Sequence, residues 1–332
     1  MPTRNENHIQ NAPSANAFDG NRLVKTELNG RRVLITGAGG FIGSHLVKQC
    51  VLAGAHVVGV SRESVAPAAF TPGVEWEQAD LTNQTATEEL LAKHHPSLIF
   101  HLAGFPSASR HLDAVGPTLD SNLLTSISLM RAAVQYPVER IVLAGSLETN
   151  ATGDAPSSAY AASKAAMVVY ARMFHKVYRL PVSIARTFMV FGPGQKDELK
   201  LVPYVITQMI KRENVKLSSG GRLVDWVYVE DVARGFITLA LSKGLDAQEV
   251  EIGSGKLLSV REIVTLIARL LEYNLPISFG ALADRPAEEE RIADVESTFR
   301  LIGWRPNFSL ETGLQLTIQH YLARTGISTP AM

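Results

Sequence analysis

Residues 33–43 read Val33-Leu34-Ile35-Thr36-Gly37-Ala38-Gly39-Gly40-Phe41-Ile42-Gly43, and this stretch decides the fold of the chain. A short β-branched run passes directly into a glycine-rich turn, and an apolar pattern with helical spacing follows the turn. Glycines at such a turn permit a tight bend and let another backbone or a ligand approach closely. A strand, a glycine-rich turn and a helix in immediate succession predict the first half of a βαβ unit.

Outward from this stretch, short apolar strand patterns alternate with longer helical ones. The strand patterns cover residues 32–36, 56–60, 74–78, 98–102, 140–144 and 182–186. The helical patterns between them cover residues 40–52, 88–93, 119–134 and 159–177. This alternation indicates βαβ units and a parallel sheet with helices on both faces. The predicted fold class is therefore α/β, a Rossmann-type doubly wound parallel sheet.

The glycine spacing predicts what the first turn binds. Gly37, Gly40 and Gly43 form a G-x-x-G-x-x-G pattern between a strand and a helix. Backbone N–H groups and the positive end of the helix dipole stabilise a pyrophosphate at such a position. We therefore predict a dinucleotide-binding site at this turn.

The residues that end the second strand pattern bear on which dinucleotide binds. They read Ser61-Arg62, and no carboxylate appears there before Glu63. A carboxylate at this position would bind the ribose hydroxyls of NAD, whereas Arg binds a 2′-phosphate through its planar fork. We predict NADP as the preferred cofactor and NAD as the alternative, in which case Arg62 is a solvated loop residue.

The alternation ends after Phe191, which predicts a division into lobes. A Gly-Pro-Gly turn at 192–194 precedes helical patterns at 201–211, 232–241, 260–271 and 310–323 and a short strand pattern at 215–217. We predict a dinucleotide-binding Rossmann domain at 23–190 and a smaller, mixed, substrate-binding C-terminal lobe at 191–332. Residues 225–250 are expected to return to the Rossmann core. Residues 1–22, rich in Asn, Pro and Ser, predict a flexible tail.

Composition narrows the class of protein. The 332 residues are 46% hydrophobic and 19% charged, as in globular proteins. Because 32 basic residues face 32 acidic ones, we expect no nucleic-acid partner. The single cysteine, Cys50, and the absence of zinc-like Cys/His spacing predict neither an internal disulfide nor a metal site. The sequence lacks a run of about 18 apolar residues, so we expect no membrane partner and a cytoplasmic location.

Tyr160 and Lys164 form the first candidate catalytic pair. They lie four positions apart in a stretch with helical spacing and so share one helix face. A cation beside a phenol lowers a pKa that is ordinarily about 10, which makes Tyr160 a candidate general acid and base. Ser146 ends the fifth strand pattern, at the edge where an open parallel sheet binds ligands. We predict that Ser146 and Tyr160 bind the same substrate oxygen.

The chain resembles the extended short-chain dehydrogenases/reductases, in particular their nucleotide-sugar epimerase/dehydratase branch. The resemblance covers nearly the whole chain after the tail. The matching segments are residues 36–43, Asp80-Leu81, His101-Leu102-Ala103, Ser146, Tyr160 with Lys164, and residues 186–195, 228–232 and 301–306.

This resemblance implies a role for each matched residue. In that family the residue matching Asp80 contacts the adenine, the one matching Lys164 also holds the nicotinamide ribose, and Tyr160 with Ser146 would relay the proton. Hydride passes between the cofactor and a carbinol carbon, commonly C4 of the sugar. The predicted cofactor contacts are Gly37, Gly40, Phe41, Ile42, Gly43, Ser61, Arg62, Asp80, Leu81, Leu102, Ala103, Tyr160 and Lys164.

Glu148 is a further candidate catalytic residue. It follows Ser146 by two positions, similar to the Ser-x-Glu or Thr-x-Glu arrangement of the family's 4,6-dehydratases and of some 4-keto-6-deoxy-sugar reductases. A carboxylate there would remove a proton next to a transient 4-ketone and favour elimination. One dehydratase subgroup has Asp where this chain has Leu147, so an ordinary loop glutamate remains the alternative. Tyr160 follows Ser146 by only 14 positions, which predicts a more open sugar pocket than the branch usually has.

Positions that contact the nucleotide diphosphate in that branch are partly changed. Its Asn before the Gly-Pro-Gly turn is Met189 here, and the Arg of its Arg-Asp-aromatic motif is Val224. Arg285 matches the branch's second phosphate-binding Arg, and Arg222 would replace the lost charge from two positions away. We predict substrate contacts at Met189, Arg222 and Arg285.

The predicted function is therefore modification of a nucleotide-linked sugar with hydride transfer at C4, by a 4-ketoreductase or a 4-epimerase. The main alternative is a 4,6-dehydratase that uses Glu148 as base. The sequence is also compatible with a carbonyl reductase for a non-sugar substrate and with a non-catalytic dinucleotide sensor.

Two further expectations concern the helix that carries Tyr160 and the histidines. Relatives dimerise through this helix and the one before it, so we expect a homodimer, in which Met167 and Phe174 belong to the interface or to the core. We expect His101 to pack beside the cofactor and His94 to end a helix in solvent.

Overall fold

Seven parallel strands form the main sheet of the protein. The computed structural model describes residues 27–63, 71–107, 109–149, 155–284 and 290–325, so the predicted tail at 1–22 lies outside the described residues. Numbered along the chain, the strands are β1 (Arg32–Thr36), β2 (His56–Ser61), β3 (Val74–Gln78), β4 (Leu98–His101), β5 (Arg140–Ser146), β6 (Val182–Thr187) and β10 (Glu249–Ile252). Their order in the sheet is β10-β6-β5-β4-β1-β2-β3. The predicted α/β, Rossmann-type doubly wound fold is confirmed.

The strand order reverses between β1 and β4. The chain passes from β1 to β2 and β3 on one side and then returns to β4, which pairs with the other side of β1. Thr36 and His101 are partners at the carboxyl ends of β1 and β4. Because the loops after these two strands diverge to opposite sides, a crevice forms at this edge of the sheet, and ligands of such sheets bind in it.

Helices cover both faces of the sheet. They are α1 (Phe41–Leu52), α2 (Gln84–His94), α3 (Val115–Thr118), α4 (Thr125–Gln135), α5 (Ala159–Tyr178) and α7 (Val229–Leu241). Residues of α1 and α7 fill one core, and residues of α2, α4 and α5 fill the other. Met167 and Phe174 are buried in the second of these cores and so are not part of an outer surface.

A second, smaller lobe has its own core. Its helices are α6 (Leu201–Ile210), α8 (Val260–Leu270) and α10 (Leu310–Thr325), and its strands are β7 (Met189–Phe191), β8 (Val215–Lys216), β9 (Leu223–Tyr228), β11 (Leu257–Ser259) and β12 (Ile277–Ser278). Helix α9 (Val295–Ile302) packs instead against β10 and the core that α1 and α7 fill. Strand β9 pairs with β7 in parallel and with β11 antiparallel. The chain therefore rejoins the main sheet after β9, through α7 and β10.

Side chains cap several helices, among them α5, which carries Tyr160 and Lys164, whereas α1 has no side-chain cap. Ser158 accepts a hydrogen bond from the Ala161 N–H at the start of α5, and Ser259 with Glu262 forms a capping box on α8. Helix α1 begins after Gly40 without a side-chain cap. Its first-turn N–H groups are thus left for a ligand. Among the described residues, no helix combines the length and apolar character needed to cross a membrane.

Candidate active site

The loop between β1 and α1 is packed too closely for side chains at two of its glycines. A Cβ built on Gly43 would overlap the carbonyl oxygen of Gly37. Gly37 has a φ of +68°, and a Cβ there would lie 2.8 Å from the backbone nitrogen of Ala103. By contrast, no atom lies within 4 Å of the corresponding position at Gly39. The loop therefore holds its backbone against the end of β4 and presents the uncapped N-terminus of α1, an arrangement that fits a pyrophosphate.

A cleft opens beside this loop, at the carboxyl ends of β1, β2 and β4. Its lining residues are Thr36, Gly37, Val60, Ser61, Arg62, Glu63, Ala79, Leu81, Ala103, Gly104, Ser121 and Thr125. The predicted contacts Gly37, Ser61, Arg62, Leu81 and Ala103 are among them. Mixed apolar and polar walls of this kind suit the adenosine part of a dinucleotide.

Asp80 lies next to this cleft on an exposed turn. Its carboxylate accepts hydrogen bonds from the backbone N–H of Thr82 at 3.0 Å and from the Thr82 hydroxyl at 2.8 Å. These two bonds lower the pKa of Asp80, with a smaller contribution from the nearby Arg62. The carboxylate is therefore held ionised in a fixed orientation.

Two side chains of opposite charge, Arg62 and Glu63, lie at the wall of the cleft. The exposed side chain of Arg62 has its Nη1 3.5 Å from the Ser121 hydroxyl oxygen, and the Ser61 hydroxyl accepts from the Glu63 N–H at 3.3 Å. A guanidinium suits a ribose 2′-phosphate, whereas a carboxylate suits free ribose hydroxyls. Arg62 and Glu63 both line the wall, so the local geometry accommodates either form.

Three further predicted cofactor contacts, Phe41, Ile42 and Leu102, lie around the glycine loop. Phe41 and Ile42 begin α1 and pack their side chains on the core of the second lobe, so only their backbone can meet a pyrophosphate. Leu102 is half-buried, and its backbone is within 3 Å of the Cβ position of Gly37.

Ser146, Tyr160 and Lys164 come together where β5 ends and α5 begins. The Ser146 side chain lies beside the Tyr160 hydroxyl and interacts with it. The Lys164 Nζ donates to the Ala144 carbonyl oxygen at 2.8 Å and lies 6.0 Å from the centroid of the Tyr160 ring. A Cβ added at Gly104, which lines the cleft, would be 3.9 Å from this Nζ. The ammonium therefore stands at the inner end of the dinucleotide cleft.

Burial dominates the electrostatics of this group. It lowers the pKa of Lys164 to about 8. Burial also raises the pKa of Tyr160, the Glu148 carboxylate raises it further, and the Ser146 hydrogen bond opposes both. This corrects our expectation that Lys164 lowers the pKa of Tyr160. The ammonium is bound to the Ala144 carbonyl, and desolvation outweighs its attraction for a phenolate.

Glu148 lies beside Tyr160. Its N–H donates to the Ser146 hydroxyl oxygen at 3.2 Å, and its charge reaches the Tyr160 phenol, whose pKa it raises. The Thr149 hydroxyl donates to the Ser146 carbonyl oxygen at 2.8 Å and closes the turn. The four predicted catalytic residues are thus brought together.

Asn122 belongs to this group and was missed from the sequence. It lies in a π-helical segment, Leu119–Leu124, of the kind often found at functional sites. Its Oδ1 accepts from the Phe105 N–H at 2.7 Å, and its Nδ2 donates to the Ser163 hydroxyl oxygen at 3.0 Å. Ser163 in turn donates to the Tyr160 carbonyl oxygen at 2.8 Å. Asn122 therefore ties the floor of the cleft to the helix that carries the tyrosine.

His101, the last residue of β4, connects Thr36 on β1 to the hydrogen bonds of Asn122. Its Nδ1 lies 2.8 Å from the Thr36 hydroxyl and its Nε2 3.0 Å from the Ser126 hydroxyl. Ser126 donates to the Asn122 carbonyl oxygen, so it accepts from an Nε2–H, and Nδ1 accepts from Thr36. Burial, with a contribution from Lys164, lowers the pKa of His101 to about 3. The imidazole is neutral and structural.

His94 corrects another expectation. It is buried, with its Nε2 3.0 Å from a carboxylate oxygen of Glu77. Glu75 and Glu77 are two positions apart on the edge strand β3, so their side chains project from the same face. Both contact His94, and these contacts hold the end of α2 against the sheet. The sequence pattern of one helix could not show this cross-element pairing.

Two of the three predicted substrate residues, Met189 and Arg222, lie in the second lobe. Met189 begins β7 opposite Trp226, and Arg222 precedes β9, with its carbonyl oxygen bound to the Val260 N–H at 3.0 Å. Val224 is buried in the core of this lobe. Arg285 lies outside the described residues.

A doubly wound sheet with a glycine loop at its switch point and a Ser-Tyr-Lys group at the neighbouring strand end defines a dinucleotide-dependent enzyme of the short-chain dehydrogenase/reductase type. Residues 33–253 match the model of the NAD dependent epimerase/dehydratase family. The chain belongs to this family and is an enzyme of the extended short-chain dehydrogenase/reductase type, as its sequence motifs predicted, and the family's name gives NAD as the dinucleotide.

Individual relatives cover nearly the whole chain. It is 28% identical to the dTDP-glucose 4,6-dehydratase of Neisseria gonorrhoeae over 333 residues, which span 88% of this chain and 96% of that protein. The UDP-glucose 4-epimerase of Thermus thermophilus in complex with NAD has a TM-score of 0.77 and 28% identity, with coverage of 87% and 98%. The UDP-glucose 4-epimerase of Thermotoga maritima with UDP-glucose shares the fold, with a TM-score of 0.82, 23% identity and coverage of 89% and 99%.

Proposed function

We propose that the chain transfers hydride between a nicotinamide dinucleotide and C4 of a nucleotide-linked hexose, as a 4-ketoreductase or 4-epimerase. The observation that carries this proposal is the convergence of Ser146, Tyr160 and Lys164 at the inner end of the dinucleotide cleft. The names of the relatives, which specify UDP-glucose and dTDP-glucose, support a nucleotide-sugar substrate.

In this reaction the residues of the site have separate roles. When bound, the nicotinamide ring supplies the acceptor or donor of the hydride. Ser146 and Tyr160 bind the oxygen on the reacting carbon, and Tyr160 takes up or returns the hydroxyl proton as hydride moves. Lys164 ties α5 to the end of β5 through the Ala144 carbonyl and would orient the nicotinamide ribose, and Asn122 fixes the start of α5 through Ser163.

The form of the dinucleotide is a separate part of the proposal. NAD is named for the Thermus thermophilus structure, and Glu63 on the cleft wall suits it. Arg62 on the same wall favours NADP(H), which we propose as the tighter ligand. Identification of the dinucleotide retained on purification, followed by titration with NAD⁺ and NADP⁺, tests this. Loss of the NADP⁺ preference in Arg62→Gln, with Arg31→Gln as control, supports the proposal, whereas equal affinities of the unaltered protein for the two forms overturn it.

A second candidate function, 4,6-dehydration, is favoured by the place of Glu148 beside Tyr160. In that reaction a carboxylate removes the proton on C5 after C4 has been oxidised, and water leaves from C6. Product analysis of Glu148→Gln separates the two functions. A dehydratase would lose turnover, whereas a reductase or epimerase would keep it.

The substrate class is tested with purified protein and UDP-, dTDP-, GDP- and CDP-hexoses. Formation of a 4-keto, 4-epimeric or reduced sugar supports the proposal. If none of them reacts and none shifts thermal stability, the remaining functions are a non-sugar carbonyl reductase or a dinucleotide sensor. Turnover of small carbonyl compounds distinguishes these two.

We also propose a homodimer formed through α5 and the segment before α4. Tyr170 and Val177 are seven residues apart on α5, so they share one face, and both are exposed. Leu119 on the adjoining π-helical segment is exposed as well. Exposed apolar side chains grouped on neighbouring helices are typical of a protein interface, which supports the proposal.

A further inference from the structure

Arg291 holds the catalytic turn from outside the Rossmann core. Its Nη1 donates to the carbonyl oxygen of Leu147 at 2.7 Å and to that of Thr149 at 2.6 Å. These two carbonyls belong to the residues on either side of Glu148. A single guanidinium nitrogen therefore binds the carbonyl oxygens of both residues that neighbour the candidate base.

The turn depends on these bonds for its shape. On its inner side, the Glu148 N–H and the Thr149 hydroxyl both bind Ser146. On its outer side, the two carbonyls point toward Arg291. Charged donors form the stronger class of hydrogen bond, and buried carbonyls left without a donor carry a desolvation cost. The arginine thus closes the turn around Glu148.

The backbone that carries Arg291 is itself fixed to the second lobe and the sheet edge. The Ala293 N–H donates to the Asp225 carboxylate at 3.0 Å, and the Asp294 N–H donates to the Glu251 carboxylate at 2.8 Å. Asp225 is buried and also accepts from the N–H groups of Ser254 and Gly255. Arg291 is therefore anchored independently of the turn that it binds.

We infer that Arg291 is a positioning residue that sets the orientation of Glu148 and of the Ser146 hydroxyl relative to Tyr160. Arg291 links the second lobe to the 146–149 turn. A conformational change in that lobe would therefore alter the orientation of Glu148 and of the Ser146 hydroxyl, through the two hydrogen bonds of Arg291 to the turn. The catalytic consequence rests on the proposed function, whereas the structural consequence does not.

Hydrogen exchange tests the structural consequence without any substrate. In Arg291→Met, amides of the 146–149 turn should exchange at least ~10-fold faster than in the unaltered protein, because the turn loses its outer bonds. Arg212→Met is the matched control, since Arg212 also donates to a backbone carbonyl, that of Glu272 at 3.4 Å, but elsewhere in the second lobe. Unchanged exchange of the turn in folded Arg291→Met overturns the inference.

Kinetics test the catalytic consequence. We expect Arg291→Met to lower kcat ~10–100-fold with dinucleotide affinity unchanged, as for loss of a group that orients others. Arg291→Lys should recover part of the rate, and added guanidinium ion should partly rescue Arg291→Met. If the unaltered protein turns over nucleotide sugars and Arg291→Met does so equally well, the inference fails. Lack of turnover by the unaltered protein instead contradicts the proposed function, and the exchange result then decides the inference alone.

Discussion

The Nζ of Lys164 donates a 2.8 Å hydrogen bond to the carbonyl oxygen of Ala144, two residues before Ser146 on β5. This bond joins α5 to the end of β5, so the side chain that reaches the dinucleotide cleft also sets the distance between Tyr160 and Ser146. The same burial that makes the bond strong lowers the pKa of Lys164 to about 8. Function and stability are therefore coupled at this residue.

The first prediction concerns stability at alkaline pH. Because the folded-state pKa of Lys164 lies below its unfolded value, the unfolded chain binds the extra proton between about pH 8 and 10.4. Stability from this group should rise with pH across that window, by about 1.4 kcal/mol per pH unit. Denaturant unfolding of the cofactor-free protein should show this rise, and Lys164→Met should lack it. Parallel curves for the two proteins would contradict the account.

The second prediction concerns acid. The neutral, buried His101 has a folded-state pKa of about 3, so below its unfolded value of about 6.5 only the unfolded chain gains a proton. Stability should fall as pH drops from about 6.5, with a slope near 1.4 kcal/mol per unit from this residue. His101→Gln should remove that part of the slope. An identical acid slope in the variant would show that His101 is protonated in the folded protein.

A third prediction concerns the glycine loop. Gly43→Ala should lower the melting temperature of the cofactor-free protein, because its Cβ overlaps the Gly37 carbonyl and backbone strain costs about 1–3 kcal/mol or more. Gly39→Ala is the matched control, since no atom lies within 4 Å of its Cβ position. Equal melting temperatures for the two variants would mean that the loop is looser than described.

The tyrosine gives the fourth prediction. Tyr160→Phe should lower kcat by about 10²–10⁴-fold, the usual contribution of a positioned acid or base. Dinucleotide affinity should stay within a few-fold, since the cleft is left intact. Tyr170→Phe, on an exposed position of the same helix, should behave like the unaltered protein. Full activity of Tyr160→Phe would show that a group other than the phenol transfers the proton.

The proposed dimer gives the fifth prediction. Val177→Asp should shift the protein to the monomer in sedimentation experiments, because a carboxylate on the exposed face of α5 would be buried without a partner. Leu199→Asp, at a position that is 92% exposed outside this face, should leave the mass unchanged. Equal masses for both variants would place the interface elsewhere.

Six of the seven strands of the main sheet were predictable, and most of these are short, buried and largely apolar runs bounded by turns. The predicted strands 32–36 and 74–78 have the bounds observed for β1 and β3. The sequence did not predict the edge strand β10 of the main sheet, the short strand β12 or the short helix α3. Nor did it predict β7, β9, β11 and α9. The three strands form a small sheet whose pairing joins distant segments, and α9 is marked mainly by its ends, the Asp294 cap and Gly303 with a φ of +67°.

The site was predictable where its residues are neighbours in sequence. Tyr160 and Lys164 are one helical turn apart, and Ser146 ends a strand, so spacing alone brings them together. Asn122 and Arg291 were missed because their contacts with Ser163 and Leu147 span 41 and 144 residues. Neither has a sequence signature of its own. Burial likewise set the pKa of Tyr160, and sequence spacing does not report burial.

The most direct measurement follows deuterium placed on C4 of a nucleotide-linked hexose through a single turnover with the dinucleotide-loaded protein. The account predicts that the label leaves C4 and is found in the reduced dinucleotide or in the released sugar. Return to C4 with inversion identifies an epimerase, arrival at C6 identifies a dehydratase, and retention on the dinucleotide identifies net oxidation, the reverse of the ketoreductase reaction. A label that stays on C4 with unchanged stereochemistry and never enters the dinucleotide, for every hexose nucleotide that the protein binds, would contradict hydride transfer at C4.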